Sequence, residues 1–301
     1  MIARPLAHTL ALILGLSPAC SLMADTAVAE GPPPTIAIII DDMGHQNSTG
    51  QRLVDLDFPL TLAFLPFRRH TTTLAEAGHQ NHKEIILHAP MANMAGYALG
   101  PGGLEVGMSA QALGESLRLS LQSVPHVSGV NNHMGSLMTQ SREMMRPVMQ
   151  ELRRYPLYFV DSRTIATTVA ADVALEEKIP TLSRDVFLDH RQTEDYVHQQ
   201  FQLLIEIARR NGSAIAIGHP HEVTVSYLEK HLPELDEKGI AVATVGALWR
   251  LRNQHRPMFV DKRQPVHAAP TVVARREEGL AEGIELLVRP VVTKGSAELP
   301  N

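Results

Sequence analysis

Cysteine is nearly absent from this chain of 301 residues. The single cysteine, Cys20, lies inside an N-terminal segment that has the features of a leader peptide. We therefore expect the mature protein to contain no disulfide bond and no thiolate metal site. Any metal site would have to be built from carboxylate and imidazole groups.

Aromatic residues, excess positive charge and long apolar runs are also scarce. Phe, Trp and Tyr make up 4% of the chain, which argues against deep sugar-binding subsites built from stacked rings. The formal net charge is -5 and the Lys and Arg residues are scattered, so the sequence indicates no nucleic-acid partner. No segment reaches the length of a permanent membrane-spanning helix, and we do not expect an integral membrane protein.

The two ends of the chain differ in composition from its centre. Residues 1–29 resemble a bacterial signal peptide: Arg4 precedes the apolar run Leu10–Leu16, and Ala27-Val28-Ala29 forms an A-x-A cleavage site. This predicts a periplasmic or secreted protein that is cleaved near Ala29. Residues 253–301 lose the pattern of the centre and are rich in proline, so we expect an irregular, partly disordered extension.

Strand and helix patterns alternate seven or eight times in the central domain, residues 30–252. This alternation predicts a parallel α/β architecture of the barrel type, although a Rossmann-like open sheet would also gather its strand ends. The first strand, Ile36–Ile40, is apolar throughout and runs directly into Asp41 and Asp42. Near the end of the domain, the spacing predicts a helix over residues 227–238.

Acidic and imidazole side chains recur at one point of the predicted repeat, at or just after the carboxyl end of a strand. These residues are Asp41, Asp42, His88, His133, Asp161, Asp185 and His219. In a parallel barrel the carboxyl ends of the strands converge on one rim, so we expect these groups to share a site. A structural alternative for Asp41 and Asp42 is that they cap the following helix, since aspartate is a preferred N-cap residue.

Carboxylate and imidazole groups are suited to a catalytic Zn²⁺ or a similar divalent ion, which needs about three protein ligands and a position for water. Asp42, His88 and His133 are the best trio by their placement at strand ends. Such an ion lowers the pKa of bound water towards about 7. Asp41 could then act as the general base, and His219 could protonate the leaving group. We expect Asp161 and Asp185 to orient the imidazoles.

The chain also resembles a known family. Five motifs, in chain order, carry the resemblance: Ile39-Ile40-Asp41-Asp42-Met43-Gly44, Leu87-His88-Ala89-Pro90-Met91, Asn131-Asn132-His133-Met134-Gly135-Ser136, Phe159-Val160-Asp161-Ser162 and Ile217-Gly218-His219-Pro220. Over roughly residues 35–250 the sequence is similar to the divergent polysaccharide deacetylases, a distant branch of the NodB-type carbohydrate esterases. The resemblance implies a distorted (β/α)7 barrel of the glycoside hydrolase/deacetylase type, a divalent metal and an acetylated glycan substrate.

By the same resemblance, Asp41 matches the catalytic base, Asp42 the metal-binding aspartate and His219 the late histidine that acts as an acid. The sequence departs from the ordinary deacetylases at one metal ligand, because Ala92 stands four residues after His88 where they have a second histidine. We assign the missing imidazole to His133, with His221 as the substitute. The arginine-proline pair that usually supports the site has no obvious counterpart.

Three functions remain in consideration from the sequence. The first is an exported metal-dependent deacetylase acting on an acetylated envelope or extracellular glycan. The second is an inactive envelope protein of the same fold that binds glycan or a cell-wall partner, which the missing second histidine suggests. The third is a glycoside hydrolase that uses Asp41 with Asp161 or Asp185 as its carboxylate pair.

Overall fold

A computed structural model describes residues 32–253, 258–259 and 266–267. The predicted signal peptide and most of the predicted C-terminal extension lie outside the described residues. The chain divides into two compact units, Met1–Val266 and His267–Asn301, and the elements below all belong to the first. No helix of the described residues has both the length and the apolar character needed to cross a membrane.

The described strands form one sheet in which every pairing is parallel. They are β1 (Thr35–Met43), β2 (Thr61–Phe64), β3 (Glu84–Met91), β4 (Val127–Met134), β5 (Tyr158–Asp161), β6 (Thr181–Ser183), β7 (Val186–Phe187), β8 (Ser213–Gly218) and β9 (Ala241–Val242). The apolar, β-branched residues of β1 are buried on both faces, as expected for a central parallel strand.

Helices follow most of the strands, and all those before Val245 pack on the outside of the sheet. They are α1 (Ser48–Asp55), α2 (Thr71–Gln80), α3 (Ala110–Gln122), α4 (Arg142–Leu152), α5 (Ala170–Glu176), α6 (Glu194–Asn211), α7 (Glu222–His231) and α8 (Val245–Arg252), with short 3-10 helices at Met138–Gln140 and Pro233–Leu235. Serine or threonine side chains cap the N-termini of α3, α4, α6 and α8.

One segment of the chain connects the two edges of the sheet, and the edge strands do not pair with each other. Its order is β6-β5-β4-β3-β2-β1-β8-β7, and the two edge strands β6 and β7 are consecutive in the sequence. Between them, the Arg184 amide donates to Asp161 on one side, and the Asp185 amide donates to Ile215 on the other. The segment from Thr181 to Phe187 therefore joins both edges. The predicted distorted (β/α)7 barrel is confirmed, and the sequential strand order lacks the switch point of a Rossmann-like sheet.

Two hydrophobic clusters separate the inside of the barrel from its helical layer. The outer cluster contains alternate residues of β1, such as Ile38, together with residues of the helices. The inner cluster contains the intervening residues Ala37 and Ile39, their counterparts on other strands, and Val245 and Leu248 of α8. Helix α8 therefore helps to fill the interior beside the first residues of β1, and polar groups line the opposite, carboxyl ends of the strands.

The predicted helix over residues 227–238 is wrong in its bounds. Helix α7 begins at Glu222 and ends at His231. It begins earlier because His221, in an extended conformation, is already its N-cap only a few residues after β8. It ends earlier because Pro233 lacks the amide proton needed to continue the helical hydrogen bonds.

Candidate functional site

A bulge at the end of β1 brings two adjacent carboxylates to the same imidazole. In a regular strand Asp41 and Asp42 would point to opposite faces of the sheet. The register between β1 and β2 gains one residue between Ile40 and Met43, and Asp42 takes a left-handed backbone conformation with φ 56°. As a result, His88 Nε2 lies 3.5 Å from Asp41 Oδ2 and 3.3 Å from Asp42 Oδ1.

The predicted metal trio converges on one point. His133 Nδ1 lies 2.9 Å from Asp42 Oδ1 and 3.1 Å from His88 Nε2. These separations are close to the roughly 3.3 Å expected between ligands of a tetrahedral ion with bonds of about 2.0–2.1 Å. Asp42 Oδ1 is buried and has no hydrogen-bond donor among the described residues. A carboxylate oxygen and two imidazole nitrogens at this spacing fit a shared cation, so the residues present suit a divalent metal.

The tautomer of His88 follows from the hydrogen bonds of Asn131, a residue for which the sequence analysis gave no role. Asn131 Nδ2 donates to Asp41 Oδ1 at 2.7 Å, so the Asn131 carbonyl oxygen faces the other way. That oxygen lies 2.7 Å from His88 Nδ1. Because an amide oxygen can only accept a hydrogen bond, Nδ1 carries the hydrogen. His88 Nε2 therefore carries the lone pair that a metal needs. Asn131 fixes the orientation of both the carboxylate of Asp41 and the ring of His88.

His219 has a separate carboxylate partner, Asp189, which the sequence analysis also missed. Asp189 Oδ1 lies 2.8 Å from His219 Nδ1, and Asp189 Oδ2 accepts from the His219 backbone amide at 2.6 Å and from Thr224 Oγ1 at 2.8 Å. Asp189 is buried at 4% exposure and is held on three sides. The pair leaves His219 Nε2 as the nitrogen available for proton transfer.

Burial and the neighbouring charges shift the pKa values of this group. Burial raises the pKa of Asp41, and the charges of His88 and His219 only partly offset that rise. Burial acts in the same direction on Asp42, but the adjacent His133 and His88 rings hold its pKa well below the usual range. Burial alone would lower the pKa of His88, yet the Asp41 and Asp42 carboxylates raise it. Asp41 is therefore a stronger base than an exposed aspartate.

The His219 imidazole is the acidic counterpart in the site. Burial works to lower its pKa, but the hydrogen bond and charge of Asp189 overcome that effect and raise the pKa to about 9. Its charge also interacts with Asp41 and Asp42, and β8 pairs directly with β1 up to Ile40 and Gly218. His219 is therefore protonated at neutral pH and belongs to the same rim as the metal trio.

Three structural expectations from the sequence are corrected. Asp161 and Asp185 do not orient the imidazoles: Asp161 accepts from the Arg163 amide and Thr168 Oγ1, and Asp185 accepts from the Ile215 amide. Asp161 follows Val160, which faces the barrel interior, so its side chain points to the opposite face of β5.

His221 does not join the metal trio, and groups instead with Asp189 and His219. The capping alternative for Asp41 and Asp42 also fails, because the N-cap of α1 is Asn47. The rim therefore holds a cation-binding trio, a carboxylate with a raised pKa and a protonated imidazole. This combination can activate water and donate a proton to a leaving group.

The chain is similar to known proteins over most of its described residues. The family model described as divergent polysaccharide deacetylase matches residues 38–249. The uncharacterized protein YibQ of Escherichia coli K12 is 39% identical over 195 residues, which cover 65% of this chain and 61% of the relative. An uncharacterized protein of Haemophilus influenzae is 32% identical over 250 residues, which cover 83% of this chain and 89% of the relative.

A solved structure shares the fold. The crystal structure of the uncharacterized protein ATU2773 from Agrobacterium tumefaciens C58 has a TM-score of 0.69 and 25% sequence identity. The superposition covers 73% of this chain and 91% of that one. The aligned part of the E. coli relative is less than two thirds of its length, so the likeness applies to the barrel domain.

Proposed function

Because this chain belongs to the divergent polysaccharide deacetylase family, we propose that it is an exported, metal-dependent enzyme that removes acetyl groups from an acetylated envelope or extracellular glycan. The observation that carries the proposal is the convergence of Asp42, His88 and His133 beside Asp41. The predicted signal peptide over residues 1–29 supports export.

Asp42, His88 and His133 would hold the metal, and one carboxylate with two imidazoles is a donor set that suits Zn²⁺. When bound, the ion supplies Lewis-acid chemistry, which polarises the acetyl carbonyl and makes water more acidic. Asn131 prepares the site by orienting the His88 ring. The Nε2 lone pair then faces the position that the metal would share with Asp42.

Asp41 receives the proton of the attacking water. Its Oδ1 is engaged by the Asn131 amide, so Oδ2 is the oxygen that accepts. The oxygen of water bonds to the acetyl carbon while Asp41 takes one of its protons. Burial raises the pKa of Asp41, which makes this transfer more favourable than it would be with an exposed aspartate.

His219 completes the reaction at the sugar. Protonated His219 donates its Nε2 proton to the sugar nitrogen or oxygen as the bond to the acetyl carbon breaks. Asp189 holds Nδ1 and keeps the ring positively charged until that step. The products are acetate and a glycan with a free amine or hydroxyl.

The proposal is tested with purified mature protein, first by metal analysis and then by measuring acetate released from acetylated glucosamine oligomers and cell-wall glycan. We expect a bound divalent ion, and Asp41→Asn should reduce turnover about 10²–10⁴-fold because the base is lost. Asp236→Asn, which changes an exposed carboxylate away from the rim, is the matched control. Absence of a bound ion together with absence of acetate from every glycan would contradict the proposal.

A second function is favoured by Ala92, which stands where ordinary deacetylases have a metal histidine. The same rim could bind glycan, or present it to a cell-wall partner, without turnover. Glycan binding that survives Asp41→Asn, combined with no acetate release by the unmodified protein, would favour this function over the enzyme.

A further inference from the structure

A polar cavity of about 520 Å³ lies among the segments that follow β5 and β6, next to the carboxyl end of β4. Its walls come from the segment after β5, the start of α5 and the link between β6 and β7, and they include Arg163, Thr164, Arg184 and Asp185. The mechanism proposed above uses none of these side chains. The cavity therefore needs an explanation of its own.

Hydrogen bonds tie this cavity to the strand that carries His133. The Ser162 amide donates to Asn132 Oδ1 at 3.0 Å, and Thr164 Oγ1 donates to the Met134 carbonyl at 2.7 Å. These two acceptors flank His133 in the sequence. Arg184 also interacts electrostatically with Asp41. A glycan with its acetyl group at the rim would thus reach the cavity with a neighbouring substituent or sugar.

The two arginines of the cavity lack ion-pair partners within the described part of the chain. Arg184 Nε donates to the Ser162 carbonyl at 2.7 Å and its Nη2 to the Arg163 carbonyl at 2.8 Å, which are both neutral acceptors. Its guanidinium carbon lies 3.7 Å from the centre of the Phe187 ring, so the group is fixed in place. Arg163 is exposed and makes no ion pair.

The carboxylates of the cavity are already engaged. Asp161 is buried and accepts from the Arg163 amide and Thr168 Oγ1. Asp172 lies 3.6 Å from Arg142, and Asp185 accepts from the Ile215 amide. Burial and the charge of Arg163 lower the pKa of Arg184 to about 10, against the opposing charges of Asp161, Asp185 and Asp41. Arg184 therefore stays charged at neutral pH.

We propose that the cavity lined by Arg163 and Arg184 binds a carboxylate carried by the glycan, so that the preferred substrate is an acidic rather than a neutral acetylated sugar. The inference rests on the proposed function and extends it to a substrate class. A guanidinium group matches a carboxylate in charge and in planar hydrogen-bond geometry. Arg163, which is exposed and forms no ion pair with any described residue, is the residue best able to make that contact.

The test compares two tetrasaccharides that differ in one feature. One contains N-acetylglucosamine and N-acetylmuramic acid with free carboxylates, and the other is its methyl ester. We expect the acid to bind about tenfold more tightly than the ester, as lost charge-assisted hydrogen bonds of this kind imply. Arg163→Gln should remove that preference, and Arg163→Glu should reverse it. Arg210→Gln is the matched control, because Arg210 is an exposed arginine near the end of α6, before β8 begins.

Binding is measured by calorimetry on the Asp41→Asn protein, and acetate release on the protein with Asp41 intact. Equal affinity for acid and ester, no measurable binding of the acid, or an unchanged preference in Arg163→Gln would overturn the carboxylate site. If acetate is released equally from both sugars, the enzyme stands and the carboxylate site falls. If the acid is preferred in binding but no acetate is released from any glycan, the carboxylate site stands and the proposed deacetylase falls.

Discussion

Two side chains that hold no metal and transfer no proton set the protonation of the site. Asn131 directs the Nδ1 proton of His88 away from the metal trio, and Asp189 holds the ring of His219 in its charged form. Each acts through one histidine. The chemistry of the rim therefore depends on these two hydrogen bonds as much as on the metal ligands.

Replacing Asn131 tests the first of these bonds. We expect Asn131→Leu to weaken Zn²⁺ binding about 10–100-fold, because His88 loses the acceptor that fixes its tautomer. Affinity is measured by competition with a chelating dye. Asn211→Leu, at an exposed asparagine at the end of α6, is the control. An unchanged affinity in Asn131→Leu would show that His88 does not depend on this contact.

Replacing Asp189 tests the second. In metal-free protein, Asp189→Asn should bring the pKa of His219 down from about 9 towards its ordinary value of 6.5, because the hydrogen bond and charge that oppose burial most strongly are lost and only the charges of Asp41 and Asp42 remain. Nitrogen NMR of the His219 ring measures the change. Asp185→Asn is the control, since Asp185 bonds to a backbone amide. A His219 pKa that stays near 9 in Asp189→Asn would contradict the assignment.

The pair of His219 and Asp189 also predicts how the free energy of unfolding depends on pH. Folding raises the pKa of His219. Its contribution to the free energy of unfolding is therefore complete below pH 6.5 and is lost as pH rises through about 9. Folding lowers the pKa of Asp189 from 3.8, so its contribution is lost as pH falls below that value. The difference in unfolding free energy between the unmodified protein and Asp189→Asn should therefore be largest between about pH 3.8 and 6.5. Denaturant titrations at several pH values measure it, and a difference independent of pH would contradict it.

At the residue scale the sequence predicted the groups better than their partners. Asp42, His88 and His133 do meet, because strand ends in a parallel barrel converge. Asn131 was missed, although it lies two residues before His133 and therefore on the same face of β4. Asp161 was given an orienting role that its position excludes, since it follows the inward-facing Val160. Side chains alternate between the two faces of a strand, so the alternation counted from the inner cluster would have placed Asn131 inside the barrel and Asp161 outside it.

At the scale of elements, β4 carries a constraint inside the barrel. Gly129 lies against the ring of Tyr158, and an added Cβ would come 2.5 Å from Tyr158 Cζ. We expect Gly129→Ala to destabilise the fold by about 1–3 kcal/mol, because the buried ring must move. Gly114→Ala is the control: its Cβ would come no closer than 3.4 Å to Glu151, and it should stabilise α3 by about 0.5–1 kcal/mol. Denaturant titration measures both, and equal effects would contradict the prediction.

Elements with strong periodicity and clear end signals were predicted closely from the sequence. The run Glu84–Met91 predicts a strand, and β3 has these bounds. Gly212 predicts the end of the helix that begins near Glu194, and α6 ends there with Gly212 in a left-handed conformation. The predicted bounds of α7 were wrong because the helix begins a few residues after the end of β8, and its own apolar spacing does not mark that start. The bulge in β1 was also beyond prediction, because it is a property of the pairing with β2.

At the scale of the whole molecule, metal binding should stabilise the barrel. The three proposed ligands come from β1, β3 and β4, so the unfolded chain cannot present them together. At a free Zn²⁺ concentration of 100 times the dissociation constant, we expect the unfolding free energy to rise by about 2.7 kcal/mol. Denaturant titration with zinc and with a chelator measures the rise. It should disappear in His133→Ala and remain in His221→Ala, and the opposite pattern would transfer the ligand role to His221.

The sequence predicted a barrel of parallel strands. It did not predict how the two edge strands, β6 and β7, are connected. Alternating strands and helices indicate parallel pairing. Nothing in the pattern shows that Thr181 to Phe187 serves both edges, because the switch occurs within seven residues and depends on the amides of Arg184 and Asp185. A short segment without a helix between its two halves carries no periodic signal for that switch.

The position of α8 in the interior has a consequence for biogenesis. The inner cluster joins residues from both ends of the barrel domain, Ala37 and Ile39 of β1 with Val245 and Leu248 of α8, and β1 pairs with β8 and β9. A nascent chain that has not yet reached α8 therefore has an incomplete inner core and one unpaired side of its central strand. We expect the barrel to complete its packing only after residue 252 has been synthesised.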